Sequence, residues 1–272
     1  MTTTAQQTGY APVNGLNMYY EVHGTGEPLV LLHGGLGATE MFGEVLPLFA
    51  ATRKVIAVDL QAHGRTADID RPLSYALMAD DIAALLKHLE LAKADVMGYS
   101  VGGGVALRTG IQHPEIVRKL VVVSFPYKRE GWYTGFLPGK GQMGPEAAEP
   151  MKGTPMYQLY ASVAPKPEDW PVLLTKMGQL LEQDYNWSEE VAEMEVPTMI
   201  VVGDADSVPP SHAAHFFELL GGGKKDAGWD GSGMSSAQLA ILPGTTHYGI
   251  FASPMLVSTV TPFLEAPLPE SR

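Results

Sequence analysis

Short apolar runs alternate along this chain with longer segments whose apolar residues recur at helical spacing, and few folds accommodate that alternation. Strands are expected over 16–22, 28–33, 54–59, 120–124 and 239–242, with further strands ending at 95–98 and beginning at Pro197 in PTMIVVGD. Helices are expected over 39–51, 74–91, 101–113, 212–220 and 255–264. In the second of these, Leu77, Ile82, Leu85, Leu86 and Leu89 supply the spacing. The stretch KVIAVD at 54–59 has the apolar, β-branched make-up of a buried strand. The sequence therefore predicts an α/β architecture, a mostly parallel sheet covered on both faces by helices.

The rhythm fails between 125 and 195, a segment rich in proline, methionine and aromatic residues, among them Trp132, Phe136, Met143, Met177, Tyr185 and Trp187. It reads as a cap or lid of short helices inserted between two neighbouring strands, which leaves 1–124 and 196–272 as the core. A second irregularity, GGGKKDAGWDGSGMSS at 221–236, is too rich in glycine for regular structure and is expected to form a long surface loop. Trp229 within it is expected to pack down.

Composition narrows the chemistry. With 272 residues, the chain can bury roughly three quarters of the surface it exposes when unfolded, enough for a complete core. It contains no cysteine, which excludes disulfides, zinc–thiolate sites and a cysteine nucleophile. A formal charge of −12 argues against nucleic acid and anionic membrane surfaces as partners. Residues 1–8 are polar, without the basic patch and apolar core of a signal peptide. No apolar stretch approaches the ~20 residues that span a bilayer. A cytoplasmic protein without a membrane partner is the expectation.

Gly98-Tyr99-Ser100-Val101-Gly102 fits the pattern G-x-S-x-G, between a strand-like DVM and a helix-like VGGGVALRTG. A nucleophilic serine stands on a sharp strand-to-helix turn with strained backbone angles. Glycines two residues to either side let strand and helix approach without a Cβ clash. Ser100 is therefore the candidate nucleophile, with a helix N-terminus behind it to face a developing oxyanion. His33-Gly34-Gly35-Leu36-Gly37 follows an earlier strand and fits the other half of an oxyanion hole. One N–H would come from Val101 and another from Gly35, with Leu36 as the alternative donor. A glycine-rich turn with Asp59 ending the next strand also suggests a dinucleotide fingerprint. There, however, Glu40 stands where the third glycine is needed, and its carboxylate would face a pyrophosphate.

His247, in LPGTTHYG after the last strand, is the candidate base among eight histidines. His33 belongs to the glycine turn, His23 and His63 to other turns, and His88, His113, His212 and His215 to helices. The acid is sought in VVGDADSVPP, where Asp206 is favoured over Asp204, which more naturally caps the turn with local backbone bonds. The strand before the cap ends at Ser124-Phe125-Pro126 and offers no carboxylate. Asp59 is expected to shape the loop behind the site.

With LLHGG at 31–35, VDLQAHGRT at 58–66, MGYSVGGGVAL at 97–107, GDADSVPP at 203–210 and PGTTHYG at 243–249, the chain resembles α/β-hydrolase fold proteins over essentially its whole length. It is most similar to the small capped branch of esterases, acyl-homoserine lactone hydrolases, perhydrolases and carbon–carbon bond hydrolases. The resemblance implies an eight-stranded sheet and a helical cap inserted after the sixth strand. It also implies cleavage of carboxylic esters through an acyl-enzyme, with lactones such as acyl-homoserine lactones included. A small-molecule acyl ester or lactone is then the partner. Carbon–carbon bond hydrolysis or perhydrolysis by the same triad, and ligand binding without catalysis, are the alternatives. Branches with an aspartate nucleophile are set aside by the serine at position 100. No cofactor is expected, and no metal, since HExxH and clustered histidines are lacking. The methionines and aromatics of the cap suit an apolar acyl or ring pocket, and equally the cap's own small core.

Overall fold

The computed structural model describes residues 5–139 and 141–268, so the first four residues of the polar N-terminal stretch lie outside it. Strands β1 (Gln7–Val13), β2 (Leu16–His23) and β3 (Pro28–Leu32) precede helix α1 (Val45–Ala50). Then follow β4 (Lys54–Val58), α2 (Tyr75–His88), β5 (Ala94–Tyr99), α3 (Val101–Gln112) and β6 (Val117–Val123). Helices α4 (Pro155–Val163), α5 (Trp170–Glu182) and α6 (Ser188–Ala192) lie between β6 and β7 (Thr198–Ala205). The chain closes with α7 (Pro210–Leu219), β8 (Gln238–Thr246), α8 (His247–Ile250) and α9 (Pro254–Glu265).

The strands form one eight-stranded sheet in the order β1-β2-β4-β3-β5-β6-β7-β8. β1 and β2 pair antiparallel, and β3 to β8 run parallel. Successive side chains on a strand point to opposite faces. Val30, Leu32, Val96, Leu120 and Val122 accordingly join one buried cluster with α2 and α3. Leu29, Leu31, Met97, Val121 and Val123 join another with α1 and α9. Burial on both faces is what the short, wholly apolar runs require. All the parallel strands end on one edge, and the crevice outside that edge is where such sheets place ligands.

Four details differ from expectation. β1 is an additional strand; QTGYAPV holds a glycine and a proline, which an edge strand paired only with β2 tolerates. The segment 39–51 is a 3-10 turn (Thr39–Phe42) followed by the short α1, because Gly43 between them has φ 39°. β8 runs on to Thr246. Trp229 is fully exposed rather than packed. Its loop closes on its own backbone, with the Gly233 N–H donating to Ala227 O (2.9 Å), and carries the tryptophan on the outside. Among the described residues no helix is long and apolar enough to cross a membrane.

Candidate active site

Strand register builds the site. β7 and β8 pair with Ala205 opposite Thr246, so the next residues, Asp206 and His247, emerge side by side at the C-terminal edge. β5 lies two strands away and ends at Tyr99, opposite Val123 of β6, and Ser100 follows. Nδ1 of His247 is 2.9 Å from Oδ1 of Asp206, and its Nε2 is 3.2 Å from Oγ of Ser100. Asp206 and His247 are buried and Ser100 half-buried. An ionised carboxylate only accepts, so Nδ1–H donates to Asp206 and Nε2 is left to accept from Ser100.

Ser100 has φ 52° and ψ −122°, a conformation that is costly for a residue with a side chain. It is held by its own N–H donating to Val123 O (2.9 Å) and by the Gly104 N–H donating to Ser100 O (3.0 Å). The expected role of the flanking glycines is visible in the packing. A Cβ on Gly98 would stand 1.9 Å from Gly102 O, and one on Gly102 would stand 2.3 Å from Leu32 O. Any side chain at either position would push strand and helix apart.

Asp206 also accepts from the N–H groups of Gly203 (3.0 Å) and Ser207 (2.7 Å) and from the hydroxyl of Ser124. Burial opposes its charge, but the hydrogen bonds from His247, Ser124 and Gly203 outweigh that and hold the carboxyl below its usual range. Asp204 turns away: it is exposed, and it accepts from the Thr245 N–H (3.1 Å) to brace the loop before His247. Ser124 is the residue that sequence reasoning missed. It is fully buried, has φ 53°, and stands at the end of β6 where a carboxylate was sought. In place of a carboxylate it supplies a donor to the one on β7.

The glycine turn lies against Ser100. A Cβ on Gly34 would be 3.4 Å from Ser100 Cβ, and one on Gly35 would be 3.2 Å from Val101 Cγ2. Among the described residues, neither the Gly35 nor the Val101 N–H donates to a backbone acceptor. Leu36, the alternative donor, has φ 59° within the turn closed by the Gly37 N–H to Gly34 O (3.2 Å). His33 anchors that turn: Nδ1–H donates to Gly34 O (2.7 Å) and Nε2 accepts from the Leu60 N–H (3.1 Å). Asp59 shapes the loop behind, accepting from the N–H groups of Thr39 (2.8 Å) and Arg65 (2.8 Å). Glu40 pairs with the Arg65 guanidinium.

Four aromatic rings surround His247: Phe136 at 4.9 Å between centroids, Tyr99 at 5.2 Å, Tyr248 at 5.6 Å and Trp132 at 5.7 Å. The Tyr99 hydroxyl donates to the His247 carbonyl (2.8 Å). Phe136 and Trp132 come from the segment between β6 and β7, so that segment reaches the site. Other aromatics in it build their own core, Tyr157 and Tyr160 packing on Trp170. The remaining histidines are engaged elsewhere; His113 pairs with Asp80 and His215 with the Tyr127 hydroxyl. Among the described residues no group of three or more His, Asp or Glu is arranged to hold a metal ion.

The comparisons agree with this architecture. The protein named "Putative carbamate hydrolase RutD" in Azorhizobium caulinodans is 27% identical over 233 residues, 80% of this chain and 87% of that one. The 2-hydroxymuconate semialdehyde hydrolase of a Pseudomonas species is 38% identical over 112 residues, 38% of this chain and 40% of its own. The solved structure of carboxylesterase CesB from Bacillus subtilis shares the fold with a TM-score of 0.74 at 19% identity, over 97% of this chain and 92% of that one. The family model described as the alpha/beta hydrolase family matches residues 29–258. The chain belongs to the alpha/beta hydrolase family.

Proposed function

We propose that this protein is a serine hydrolase that cleaves carboxylic esters, lactones included, with Ser100 as nucleophile, His247 as base and Asp206 as acid. The observation that carries the reading is the continuous hydrogen-bond chain from Ser100 Oγ through both His247 nitrogens to Asp206. Ser100 Oγ attacks the carbonyl carbon while Nε2 of His247 takes its proton. Asp206 orients the ring and balances the imidazolium charge that forms. The carbonyl oxygen becomes an oxyanion facing the N–H groups of Gly35 and Val101, and one such donor is worth ~3 kcal/mol of transition-state stabilisation. Collapse expels the alcohol, which takes the proton from His247 and leaves an acyl-enzyme. Water then repeats the sequence, giving its proton to His247, and releases the acid and Ser100. The segment 125–195 acts as a cap that lines the substrate side with Trp132 and Phe136.

A second reading is carbon–carbon bond hydrolysis by the same residues, favoured by the similarity to the 2-hydroxymuconate semialdehyde hydrolase. A panel of p-nitrophenyl esters, acyl-homoserine lactones and vinylogous diketone ring-cleavage products separates the two. Ester turnover that falls by about 10⁴-fold or more in Ser100→Ala, together with loss of fluorophosphonate labelling, is the expected result. Faster consumption of the diketones than of any ester would favour the second reading. Labelling that survives in Ser100→Ala would overturn both.

A further inference from the structure

Gly35, one of the proposed oxyanion donors, is flanked by the side chain of Val101 and by one side chain of the segment between β6 and β7. A Cβ on Gly35 would lie 2.7 Å from Cε of Met177 and 3.2 Å from Cγ2 of Val101. Met177, on α5, is 2% exposed, so its methyl group is enclosed beside Gly35 and is not a passing surface contact. The directions open to a bound acyl group follow from tetrahedral geometry. With the oxyanion held at the two amides, the leaving group has to face His247 Nε2, on the side occupied by Phe136, Trp132 and Tyr248. The acyl chain takes the remaining direction, away from His247, and the nearest side chain of that segment beside the proposed oxyanion donor Gly35 is Met177.

The helix that carries Met177 has little room to retreat. A Cβ on the next residue, Gly178, would be 2.0 Å from the Met143 carbonyl oxygen, so α5 is seated directly on that backbone. Accommodation therefore falls to the side chain. Methionine has three rotatable bonds and yields to irregular contacts, so it limits chain length by degree and not absolutely. Trp170, Leu173, Leu174 and Leu180 make up the rest of the buried face of α5, so space released at Met177 is apolar and suits alkyl chains.

On the basis of the ester-hydrolase reading, we propose that Met177 determines the acyl specificity of this enzyme. It admits short unbranched acyl groups and disfavours longer ones. The test measures kcat/KM for p-nitrophenyl acetate, butyrate, hexanoate and octanoate in wild type, Met177→Ala, Met177→Phe and Met156→Ala. The octanoate-to-acetate ratio should rise about tenfold or more in Met177→Ala and fall in Met177→Phe, the scale expected for extra methylenes in an apolar pocket. Met156 is exposed in the same segment, and its variant should follow wild type. If the alanine variant does not fold, Met177→Val with Met177→Phe preserves the two-directional test. Ratios within twofold of wild type in folded Met177 variants overturn the proposal, because a purely structural role would lower the melting midpoint without changing chain-length preference. Ser100 labelling by methyl- and octyl-phosphonofluoridates, run in parallel, separates the two claims. Absent ester turnover with a chain-length-selective labelling change in the Met177 variants sinks the ester reading alone. Unchanged labelling selectivity sinks the role of Met177, and a wild type that takes neither probe sinks both.

Discussion

The Asp206 carboxylate receives hydrogen bonds from the His247 ring, the Ser124 hydroxyl and the Gly203 and Ser207 amides. Of these, the Ser124 bond is the one a point substitution removes without touching the proposed triad. A bond to a charged group is worth about 1.5–3 kcal/mol. In Ser124→Ala the Asp206 carboxylate loses one of the donors that fix its orientation toward the His247 ring. The value of kcat should therefore fall about tenfold, or ~1.4 kcal/mol, with KM little changed, as the carboxylate loses a fixed orientation. A lowered melting midpoint with kcat unchanged would reduce Ser124 to a structural role. Why this residue escaped the sequence is a matter of distance. Ser100 announces itself because its glycines lie within five residues, and His247 because it follows a strand. Ser124 meets its partner across 82 residues of chain, and nothing local marks it.

At the scale of elements, the placing of Ser100, the proposed nucleophile, depends on how closely α3 approaches β3. Gly102→Ala would place a Cβ 2.3 Å from Leu32 O and 2.4 Å from His33 O, both backbone atoms that cannot rotate away. Forcing α3 off the sheet should cost about 3 kcal/mol in urea unfolding, the upper range for overpacking. Hydrolysis should fall as well, because Ser100 and the turn after His33 would be displaced together. Gly153→Ala is the internal control, since a Cβ there meets nothing within 4 Å, and its midpoint should stay within ~0.5 kcal/mol of wild type. Equal midpoints for the two variants would remove close approach as the reason for the glycine. Strands buried on both faces and helices with a regular apolar face were legible in sequence, because their pattern is their packing. β1 was not, because a Gly- and Pro-containing strand is stable only through its pairing with β2. The split at Gly43 was not either, because it rests on one backbone angle.

For the molecule as a whole, the loops behind the site carry a pH dependence set by burial. His33 and His63 are fully buried with ring centroids 5.2 Å apart. Burial pushes His33 down to about 3 and His63 and, on α7, His212 down to about 4, whereas all three titrate near ~6.5 in the unfolded chain. Below about pH 6.5 the unfolded chain therefore binds three protons that the folded protein refuses, and stability falls as pH is lowered toward 4. Asp59 works the other way. Burial raises it to about 6, so between about pH 3.8 and 6 the folded state keeps one proton that the unfolded chain releases. Three protons less one leaves a net difference of two across pH 4 to 6, a slope of about 2.7 kcal/mol per pH unit. Among carboxylates with a direction only, Glu40, Asp204, Asp206 and Asp230 are lowered and add to the loss of stability toward acid, while Asp81 and Asp95 are raised and oppose it. His63→Asn isolates the effect: its amide can replace the Nδ1–H bond to Gln61 O (2.8 Å) and takes up no proton. Urea-unfolding free energies at intervals from pH 4 to 7.5 should slope in wild type and slope about half as steeply between pH 4 and 6 in the variant, whatever the constant offset between them. Parallel lines would show that His63 is not the group whose exclusion from protonation couples acid to unfolding.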